Sequence, residues 1–371
     1  MSSPSRPSPH GPIEVLVVDD SAVTRQRLKS IIESDSRFRV VTAADPYEAV
    51  AVLAKSVPGL ILLDVEMPRM DGLTFLRKLM SQHPMPVVLC TDQAERAVTA
   101  LEIGALEVIA KPDWRDPAKM SAWSNTLMES IRTAARAGHL PLREDPAPSP
   151  TDARPTADAV LPRVPYTPRG TVLTDRVIAI GVSTGGVQAL QQLLPLFPAD
   201  APGLVIVQHM PLGFLGALAA RLDKDPKIAL EVAEGKHLDP IRRGRALLVP
   251  SDVHGLVRRT GSGYRIELVD GPKVCIQRPS VEVLFRSTAQ AAGPNAAGVI
   301  MTGMGDDGAG GLLEMREAGA LTIAQNQATC TVFGMPREAI RRRAAQQILP
   351  LDRIAAALMA WDAGSDSGSR A

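Results

Sequence analysis

The chain has 371 residues, of which 45% are hydrophobic and 22% are charged, proportions that exclude a disordered, collagen-like or membrane-bundle protein. Lys and Arg together number 41 and Asp and Glu 40, so no overall basic field would attract nucleic acid or anionic lipid. A single hydrophobic core stops growing near about 250–300 residues, so the length predicts two domains.

The N-terminal stretch MSSPSRPSPHGP lacks the apolar core of a secretory signal, and no later stretch is apolar enough to span a membrane. We expect residues 1–12, and residues 365–371 at the other end, to be disordered tails. Cys90, Cys275 and Cys330 are far apart and odd in number, which is typical of core thiols in a reducing compartment. These features predict a cytoplasmic protein.

Residues 13–136 alternate short apolar runs with helical patterns. The runs are EVLVVDD, FRVVTAA, GLILLD, PVVLCT and EVIAKP. Such runs predict a parallel sheet covered on both faces, here a five-stranded doubly wound domain of the flavodoxin-like kind.

Polar side chains follow four of these runs. They are Asp19 and Asp20 after the first run, Asp64 after the third, Thr91 after the fourth and Lys111 after the fifth. The carboxyl ends of parallel strands share one edge of the sheet. Three neighbouring carboxylates repel one another unless a hard cation shares their site, so the set predicts a Mg²⁺ site. One carboxylate could then attack a phosphoryl donor, while the hydroxyl and the ammonium neutralise the transferred group.

A single Asp at a strand end is usually a helix cap, but this whole set, with the segment LLDVEMPRMDG and the cis-prone pair Lys111-Pro112, resembles response-regulator receiver domains. The resemblance implies that Asp64 is the phosphoacceptor and that Thr91 and Lys111 are the switch hydroxyl and the phosphate-binding lysine. It also implies that Asp19, Asp20, Asp64 and the backbone carbonyl of Glu66 bind the metal. One position departs from the family, because Val108 stands where receivers commonly carry a switch aromatic.

Residues 137–173 are rich in proline and nearly free of aliphatic periodicity, so we predict a semi-stiff linker. A second α/β pattern follows over residues 174–364, with the runs RVIAI, GLVIVQHM, IALEVA, RALLVP, AAGVIMTG and LTIAQ. The stretch GLVRRTGSGYRIELV has a Gly-Ser-Gly turn and predicts an antiparallel hairpin. We expect this hairpin to make a mainly parallel sheet mixed.

The segment GVSTGG places Ser183 between an apolar strand and a helical stretch. Small neighbours leave its hydroxyl exposed at such a turn, and the helix N-terminus offers backbone N–H groups to an oxyanion. A G-x-S-x-G segment alone is of moderate specificity, because Gly-rich turns also bind dinucleotides and Ser often only caps the helix.

Two further segments end apolar strands at the same predicted edge. His209 lies in VQHM and could act as the base that Ser183 needs. Asp306 and Asp307 lie in MTGMGDDG, and either carboxylate could orient the imidazole. His254, which also ends a strand-like run, is the serious rival to His209.

The segments GVSTGG, VQHMPLGF, RPSVEVLFRS, MTGMGDDGAGGL and QNQATCTVFGMPREAI together resemble the catalytic domain of chemotaxis protein-glutamate methylesterases, the CheB family. The resemblance implies that Ser183 is the nucleophile, His209 the base and Asp307 the orienting carboxylate. It places Thr184, Gly185 and Met304 at the oxyanion pocket. Glu282 stands where the family often has Asp.

The resemblance implies a phosphorylation-controlled serine hydrolase that demethylates glutamate methyl esters, and deamidates glutamines, on methyl-accepting chemoreceptors. A chemotaxis-type histidine kinase would be the phosphodonor. Mg²⁺ would serve the receiver alone, and the hydrolase would need no cofactor; neither nucleic-acid binding nor membrane insertion is implied. From the domain order we expect the unphosphorylated receiver to cover the catalytic cleft and phosphorylation to favour an open form.

Two other functions are weighed against this one. A DNA-binding response regulator would need a helix-turn-helix pattern and a basic stripe, but the sequence offers only the short run Arg341–Arg343. A nucleotide-binding module could use the Gly-rich turns, but the chain lacks a full G-x-G-x-x-G motif and a P-loop lysine.

Overall fold

A computed structural model of the chain describes residues 11–67, 70–138, 155–167, 175–223, 227–234, 239–261 and 263–364. The chain divides into two compact units, Met1–Pro148 and Ser149–Ala371. The tails predicted to be disordered lie outside the described residues, except for residues 11 and 12. Among the described residues, no helix combines the length and the apolar character needed to cross a bilayer.

The first unit is built on one parallel sheet. Its strands are β1 (Ile13–Val18), β2 (Phe38–Ala43), β3 (Leu60–Asp64), β4 (Val87–Cys90) and β5 (Glu107–Ile109). Its helices are α1 (Ala22–Ile32), α2 (Pro46–Leu53), α3 (Gly72–Gln82), α4 (Ala94–Ile103) and α5 (Pro117–Ala137). The strand order is β2-β1-β3-β4-β5, with every pair parallel, so the predicted flavodoxin-like topology is confirmed.

Local sequence explains how this unit forms. Every residue of β3 is buried, as the unbroken apolar run predicts for a strand covered on both faces. Ser21 and Asp45 begin α1 and α2 by accepting hydrogen bonds from first-turn amides, which satisfies donors that a helix leaves open. The peptide bond between Lys111 and Pro112, a cis-prone pair, is trans. Among the described residues, the cis peptide bond joins Arg278 to Pro279.

Within its described residues, the second unit has ten strands and six α-helices. The strands are β6 (Val177–Val182), β7 (Gly203–Gln208), β8 (Ala229–Val232), β9 (Asp239–Ile241), β10 (Arg245–Leu248), β11 (His254–Thr260), β12 (Gly263–Val269), β13 (Ala296–Ile300), β14 (Leu321–Gln325) and β15 (Gln347–Leu349). The helices are α6 (Gly186–Leu193), α7 (Leu215–Leu222), α8 (Val281–Ala292), α9 (Ala309–Glu317), α10 (Met335–Arg341) and α11 (Leu351–Ala363).

These strands form two sheets. The larger has the order β15-β14-β13-β6-β7-β10-β8, and all its pairs are parallel. The predicted hairpin is present as β11 and β12, but it joins β9 in a separate antiparallel sheet. The expectation of a mixed sheet was therefore wrong. The hairpin pairs with β9 instead, and α8 packs against both sheets through buried residues such as Leu284 and Phe285.

Part of the predicted linker packs on the second unit. Ala157 and Leu161 are buried beside Leu256 and Val283. The side chain of Arg286, which is 5% exposed, donates hydrogen bonds to Asp158 Oδ1 at 2.8 Å and to the carbonyl of Leu161 at 3.0 Å. The segment is too polar to form a core of its own, but residues 155–167 are held against the second unit by these apolar contacts and hydrogen bonds. The boundaries predicted from the sequence, with a linker over residues 137–173 between domains at 13–136 and 174–364, stay a prediction.

Candidate functional site

The acidic residues of the first unit meet at the carboxyl edge of its sheet. Ligand oxygens of Asp19, Asp20 and Asp64 lie within 4.8 Å of one another. Asp19 and Asp64 are buried, whereas Asp20 is exposed. Burial, together with the charge of Asp64, raises the pKa of Asp19 to about 6. A divalent cation would relieve this cost, and carboxylate oxygens are the ligands that Mg²⁺ prefers, so the trio fits that ion.

The sequence also predicts an ammonium group, that of Lys111, and a hydroxyl, that of Thr91, at this edge of the sheet. Both residues follow strands that end there. Lys111 Nζ lies 2.9 Å from Asp64 Oδ2 and 3.7 Å from a carboxylate oxygen of Glu66. Thr91 is fully buried, and its hydroxyl accepts a hydrogen bond from the amide of Gln93. Val108 is buried in β5, so the position of the usual switch aromatic is filled by a small core side chain.

In the second unit, Ser183 lies at a tight turn directly after β6. Its amide donates to the carbonyl of Thr302 at 3.0 Å, and its carbonyl accepts from the amide of Gly186 at 2.8 Å. Gly185 has a φ of 78°, and a Cβ there would lie 2.5 Å from the Cβ of Thr331, so the turn requires glycine. The nucleophile candidate is half-buried, and the turn holds it at the N-terminus of α6.

His209 follows β7, the strand next to β6. Its amide donates to the carbonyl of Val182 at 3.1 Å, which fixes its backbone beside the serine turn. Ring atom Nε2 lies 2.9 Å from Asp307 Oδ2. The other ring nitrogen, Nδ1, is buried and has no hydrogen-bond partner within the described ranges.

Asp307 is 2% exposed and lies at the N-terminus of α8. One oxygen accepts from the hydroxyl of Ser280 at 2.7 Å and from the amide of Glu282 at 2.9 Å. The other accepts from the amide of Val281 at 2.8 Å. A carboxylate that accepts hydrogen bonds from three donors at a helix N-terminus is fixed in place.

The neighbouring acid has a different partner. Asp306 Oδ2 lies 3.0 Å from a guanidinium nitrogen of Arg342. Of the two adjacent acids that the sequence left open, Asp307 is therefore the one that contacts the histidine.

His254, the rival histidine, serves a structural purpose. It is fully buried, its Nε2 lies 2.9 Å from the carbonyl of Pro272, and its Nδ1 accepts a hydrogen bond from the amide of Ser280 at 3.3 Å. Burial lowers the pKa of the ring. A neutral imidazole with both nitrogens engaged is suited to holding the Ser280 backbone, which in turn positions Asp307.

Gln208 belongs to the site although no motif in the sequence points to it. This side chain is 3% exposed, and its Nε2 donates to the carbonyls of both Ser183 and His209, at 3.0 and 2.9 Å. It therefore joins the backbone of the serine turn to that of the histidine. A polar residue at an otherwise apolar strand end was the one available signal.

The glycines of the MTGMGDDG segment allow close packing around the serine. A Cβ on Gly303 would lie 2.7 Å from the Cβ of Ser183 and 2.4 Å from the sulfur of Met335. Met304 follows directly and is half-buried, and Thr184 is buried on the other side of Ser183. These residues, with Gly185, leave backbone close to the place where a substrate carbonyl would meet the hydroxyl.

Another group of possible metal ligands, Cys275, Glu282 and Asp307, lies within 4.8 Å. Asp307 already accepts three hydrogen bonds. One oxygen of Glu282 accepts from the amides of Gly308 and Gly310, each at 3.1 Å. These carboxylates are thus satisfied by the protein, and the group has the character of a hydrogen-bonded network.

Taken together, the two units define a class of protein. The first has the topology and acidic trio of a phosphoacceptor domain, and the second is an α/β unit in which Ser183 and His209 follow neighbouring strands and Asp307 contacts the histidine ring. This class is the response regulator with a hydrolase-type effector unit.

The comparisons with known proteins agree with this class. The family described as response regulator receiver domain matches residues 15–120, and the family described as CheB methylesterase matches residues 178–358. A relative from Anaeromyxobacter dehalogenans (strain 2CP-C), named protein-glutamate methylesterase/protein-glutamine glutaminase 5, is 52% identical over 93% of this chain and 97% of its own. A second relative, named protein-glutamate methylesterase/protein-glutamine glutaminase 3, comes from Geobacter metallireducens. It is 49% identical over a match that covers 92% of this chain and 97% of the relative.

Among solved structures, the Thermotoga maritima CheB methylesterase catalytic domain is 32% identical, covers 50% of this chain and 98% of its own, and superposes with a TM-score of 0.49. From the identity and coverage of the relatives and the two matched families, the chain belongs to the CheB methylesterase family. The resemblance drawn from the motifs is confirmed.

Proposed function

We propose that this chain is a protein-glutamate methylesterase and protein-glutamine glutaminase whose activity is controlled by phosphorylation of its receiver. The names of its relatives and their coverage of almost the whole chain support this activity. The observation that carries it is the contact between His209 and Asp307 beside the serine turn. The substrates would be methyl-accepting chemoreceptors.

The geometry supports a specific division of labour. With Nε2–H donating to Asp307, the unprotonated lone pair of His209 lies on Nδ1, the buried nitrogen that has no partner among the described residues. Nδ1 would take the proton of Ser183 as its hydroxyl attacks the γ-carbonyl of a glutamyl ester. Asp307 would hold the ring in this tautomer and stabilise the imidazolium that forms.

The reaction then proceeds by acyl transfer. Protonation by His209 releases methanol from an ester, or ammonia from a glutamine amide, and leaves the glutamyl group on Ser183. Water activated by the same ring nitrogen would hydrolyse this acyl-enzyme to glutamate. Backbone and side chains at Thr184, Gly185 and Met304 would surround the oxyanion, since the serine turn opens the N-terminus of α6.

The first unit would supply control. Asp64 would accept a phosphoryl group from a chemotaxis-type histidine kinase, and Lys111 would neutralise the product because its ammonium already contacts Asp64. Asp19, Asp20, Asp64 and the backbone carbonyl of Glu66 would hold Mg²⁺, which supplies charge neutralisation to phosphoryl transfer when bound. The hydroxyl of Thr91 would contact the transferred phosphoryl group and act as the switch. The reduced-cysteine pattern supports a cytoplasmic location.

Mass spectrometry of receptors tests this proposal. Wild type should convert methyl-esterified and amidated sites to glutamate, and Ser183→Ala should convert neither. Conversion of both kinds of site by Ser183→Ala at the wild-type rate would refute the assignment of the nucleophile.

A further inference from the structure

A cavity of about 550 Å³ lies beside the serine turn, and the mechanism above does not use it. Its walls come from the first turns of α6, the segment between β14 and α10, and the N-terminus of α11. We call it the α6–α11 cavity and define it by Gly185, Gln188, Gln192, Thr329, Thr331 and Asp352. Pockets of roughly 300–1,000 Å³ hold whole drug-sized ligands, so this cavity has room for more than one glutamyl side chain.

The cavity begins at the turn that carries the nucleophile. Gly185, two residues after Ser183, is part of its wall. A Cβ on Gly185 would lie 2.6 Å from Thr331 Oγ1, so the hydroxyl of Thr331 lies against the backbone of the serine turn. In the sheet, β6 lies between β13 and β7. The cavity is on the β13 side of β6, whereas His209 follows β7 on the other side.

Hydrogen bonds fix the walls of the cavity relative to the serine turn. Thr302 Oγ1 donates to the carbonyl of Thr184 at 2.9 Å and accepts from the amide of Val332 at 3.0 Å. Thr329 Oγ1 accepts from the amide of Leu351 at 3.2 Å, which joins the same segment to the start of α11. The cavity is therefore preformed, as binding sites usually are.

The polar groups of the walls indicate what the cavity can bind. Gln188 and Gln192 bring side-chain amides and Thr331 brings a hydroxyl, while Asp352 is the one charged residue among those described that line the cavity. Gln192 and Thr331 are exposed. Amides and hydroxyls both donate and accept hydrogen bonds. Such walls suit the peptide groups and the uncharged polar side chains of a polypeptide.

We propose that the α6–α11 cavity binds the polypeptide that flanks the modified glutamate, with Thr331 and Gln192 as its hydrogen-bonding residues. This inference rests on the proposed function, because the side chain that reaches Ser183 then belongs to a protein whose neighbouring residues must lie somewhere beside the turn. A segment that enters on the β13 side of β6 leaves His209 in place on the β7 side. The cavity thus contributes to substrate binding and not to proton transfer.

Thr331→Val removes the hydroxyl and nearly keeps the shape of the side chain. The loss of one hydrogen bond between uncharged groups should raise KM for methanol release from methylated receptor membranes by roughly three- to tenfold and leave kcat unchanged. Thr331→Ser, which keeps the hydroxyl, should restore the wild-type KM. The ratio of the KM of Thr331→Val to that of wild type should be the same at low and high salt, because salt screens charges.

A second variant fills the cavity. Gln192→Trp places a large ring at an exposed position of its wall, and KM should rise at least as much as in Thr331→Val. The matched control is Gln347→Trp. Gln347 is exposed and is the first residue of β15, which runs parallel to β14. It therefore lies at the amino edge of the sheet, opposite the edge that carries Ser183, and the control should keep the wild-type KM.

Three results would overturn the proposal. The first is a wild-type KM in both Thr331→Val and Gln192→Trp. The second is a kcat that falls equally in Thr331→Val and Thr331→Ser, since the threonine would then only support the serine turn. The third is a higher rate of Gln192→Trp without a phosphoryl donor, which would mean that another part of this chain occupies the cavity.

A binding assay separates this proposal from the proposed activity. Full-length Ser183→Ala is sedimented with receptor-containing and receptor-free vesicles, with and without Thr331→Val or Gln192→Trp. Receptor-dependent binding that both changes weaken supports the cavity as a binding site even if wild type releases no methanol. Receptor-dependent binding that neither change weakens would overturn the cavity's role, while Ser183-dependent methanol release would leave the proposed function intact.

Discussion

Nε2 of His209 lies 2.9 Å from Oδ2 of Asp307, and both side chains are almost completely buried. Water competes little for a hydrogen bond in such a place, so this contact holds the ring firmly. Asp307 contacts Nε2, so the proposed mechanism assigns proton transfer from Ser183 to the other ring nitrogen, Nδ1.

Asp307→Asn should lower kcat by about 10²–10⁴-fold, because an amide cannot stabilise the imidazolium and can select the wrong tautomer. The matched control is Asp306→Asn, which removes the adjacent carboxylate but loses only an exposed pair with Arg342. Steady-state methanol release by both variants checks this. Similar losses in the two variants would contradict the assignment of Asp307.

Gln208→Met should lower kcat by roughly ten- to a hundredfold with little change in KM, because small displacements of catalytic groups are costly. The variant removes the two hydrogen bonds that join the backbones of Ser183 and His209. Gln290→Met is the control, since that side chain also donates to a backbone carbonyl, that of Pro162. If both variants lost the same stability and the same kcat, the effect of Gln208 would be one of folding alone.

Asp64→Asn should abolish the stimulation of methanol release by acetyl phosphate and Mg²⁺ while leaving the basal rate. Asparagine cannot form the acyl phosphate, although it keeps the shape of the side chain. Asp92→Asn serves as the control, because Asp92 is exposed and directly follows Thr91. If stimulation survived in Asp64→Asn but disappeared in Asp92→Asn, the phosphoacceptor would be Asp92 and not Asp64.

Glu282 links stability to pH. Burial raises the pKa of this carboxyl from 4.5 to about 7. Below pH 4.5 both the folded and the unfolded states hold the proton. As pH rises from 4.5 to about 7 the unfolded state releases its proton first, so the free energy of unfolding falls, by about 1–3 kcal/mol in total.

Glu282→Gln should make the fall shallower, since the amide does not titrate, and the fall that remains belongs to other buried carboxyls such as Glu107, whose pKa burial raises to about 7. Calorimetric unfolding of the full chain between pH 5 and about 8 measures it, with Glu267→Gln at a partly exposed position as the control. A variant whose stability falls with pH as steeply as that of wild type would show that another group is responsible.

The strands and most site residues could be predicted from the sequence for simple physical reasons. Buried parallel strands require unbroken apolar runs, and the carboxyl ends of such strands meet at one edge. Ser183 and His209 therefore fell at neighbouring strand ends, and Asp19, Asp20 and Asp64 gathered in the other unit. The glycines beside Ser183 indicated a tight turn, which Gly185 confirms with its positive φ.

Contacts between distant segments could not be predicted in this way. The hairpin lies in a separate sheet because β12 pairs with β9, a three-residue strand too short to give a pattern. Arg286 binds the segment around Asp158 across more than a hundred residues. In the structure, Ser280 and the N-terminus of α8 hold the carboxylate of Asp307, and not that of Asp306, beside the histidine. Ser280 lies far from Asp307 in the sequence, so no local spacing reveals this contact.

The most direct test of the central claim is methanol release from methylated chemoreceptor membranes by wild type and Ser183→Ala, each with and without acetyl phosphate and Mg²⁺. We expect release by wild type that the phosphoryl donor increases, and no release by Ser183→Ala under either condition. Release by wild type that the donor leaves unchanged would contradict control by the receiver. Equal release by both proteins would contradict the serine mechanism itself.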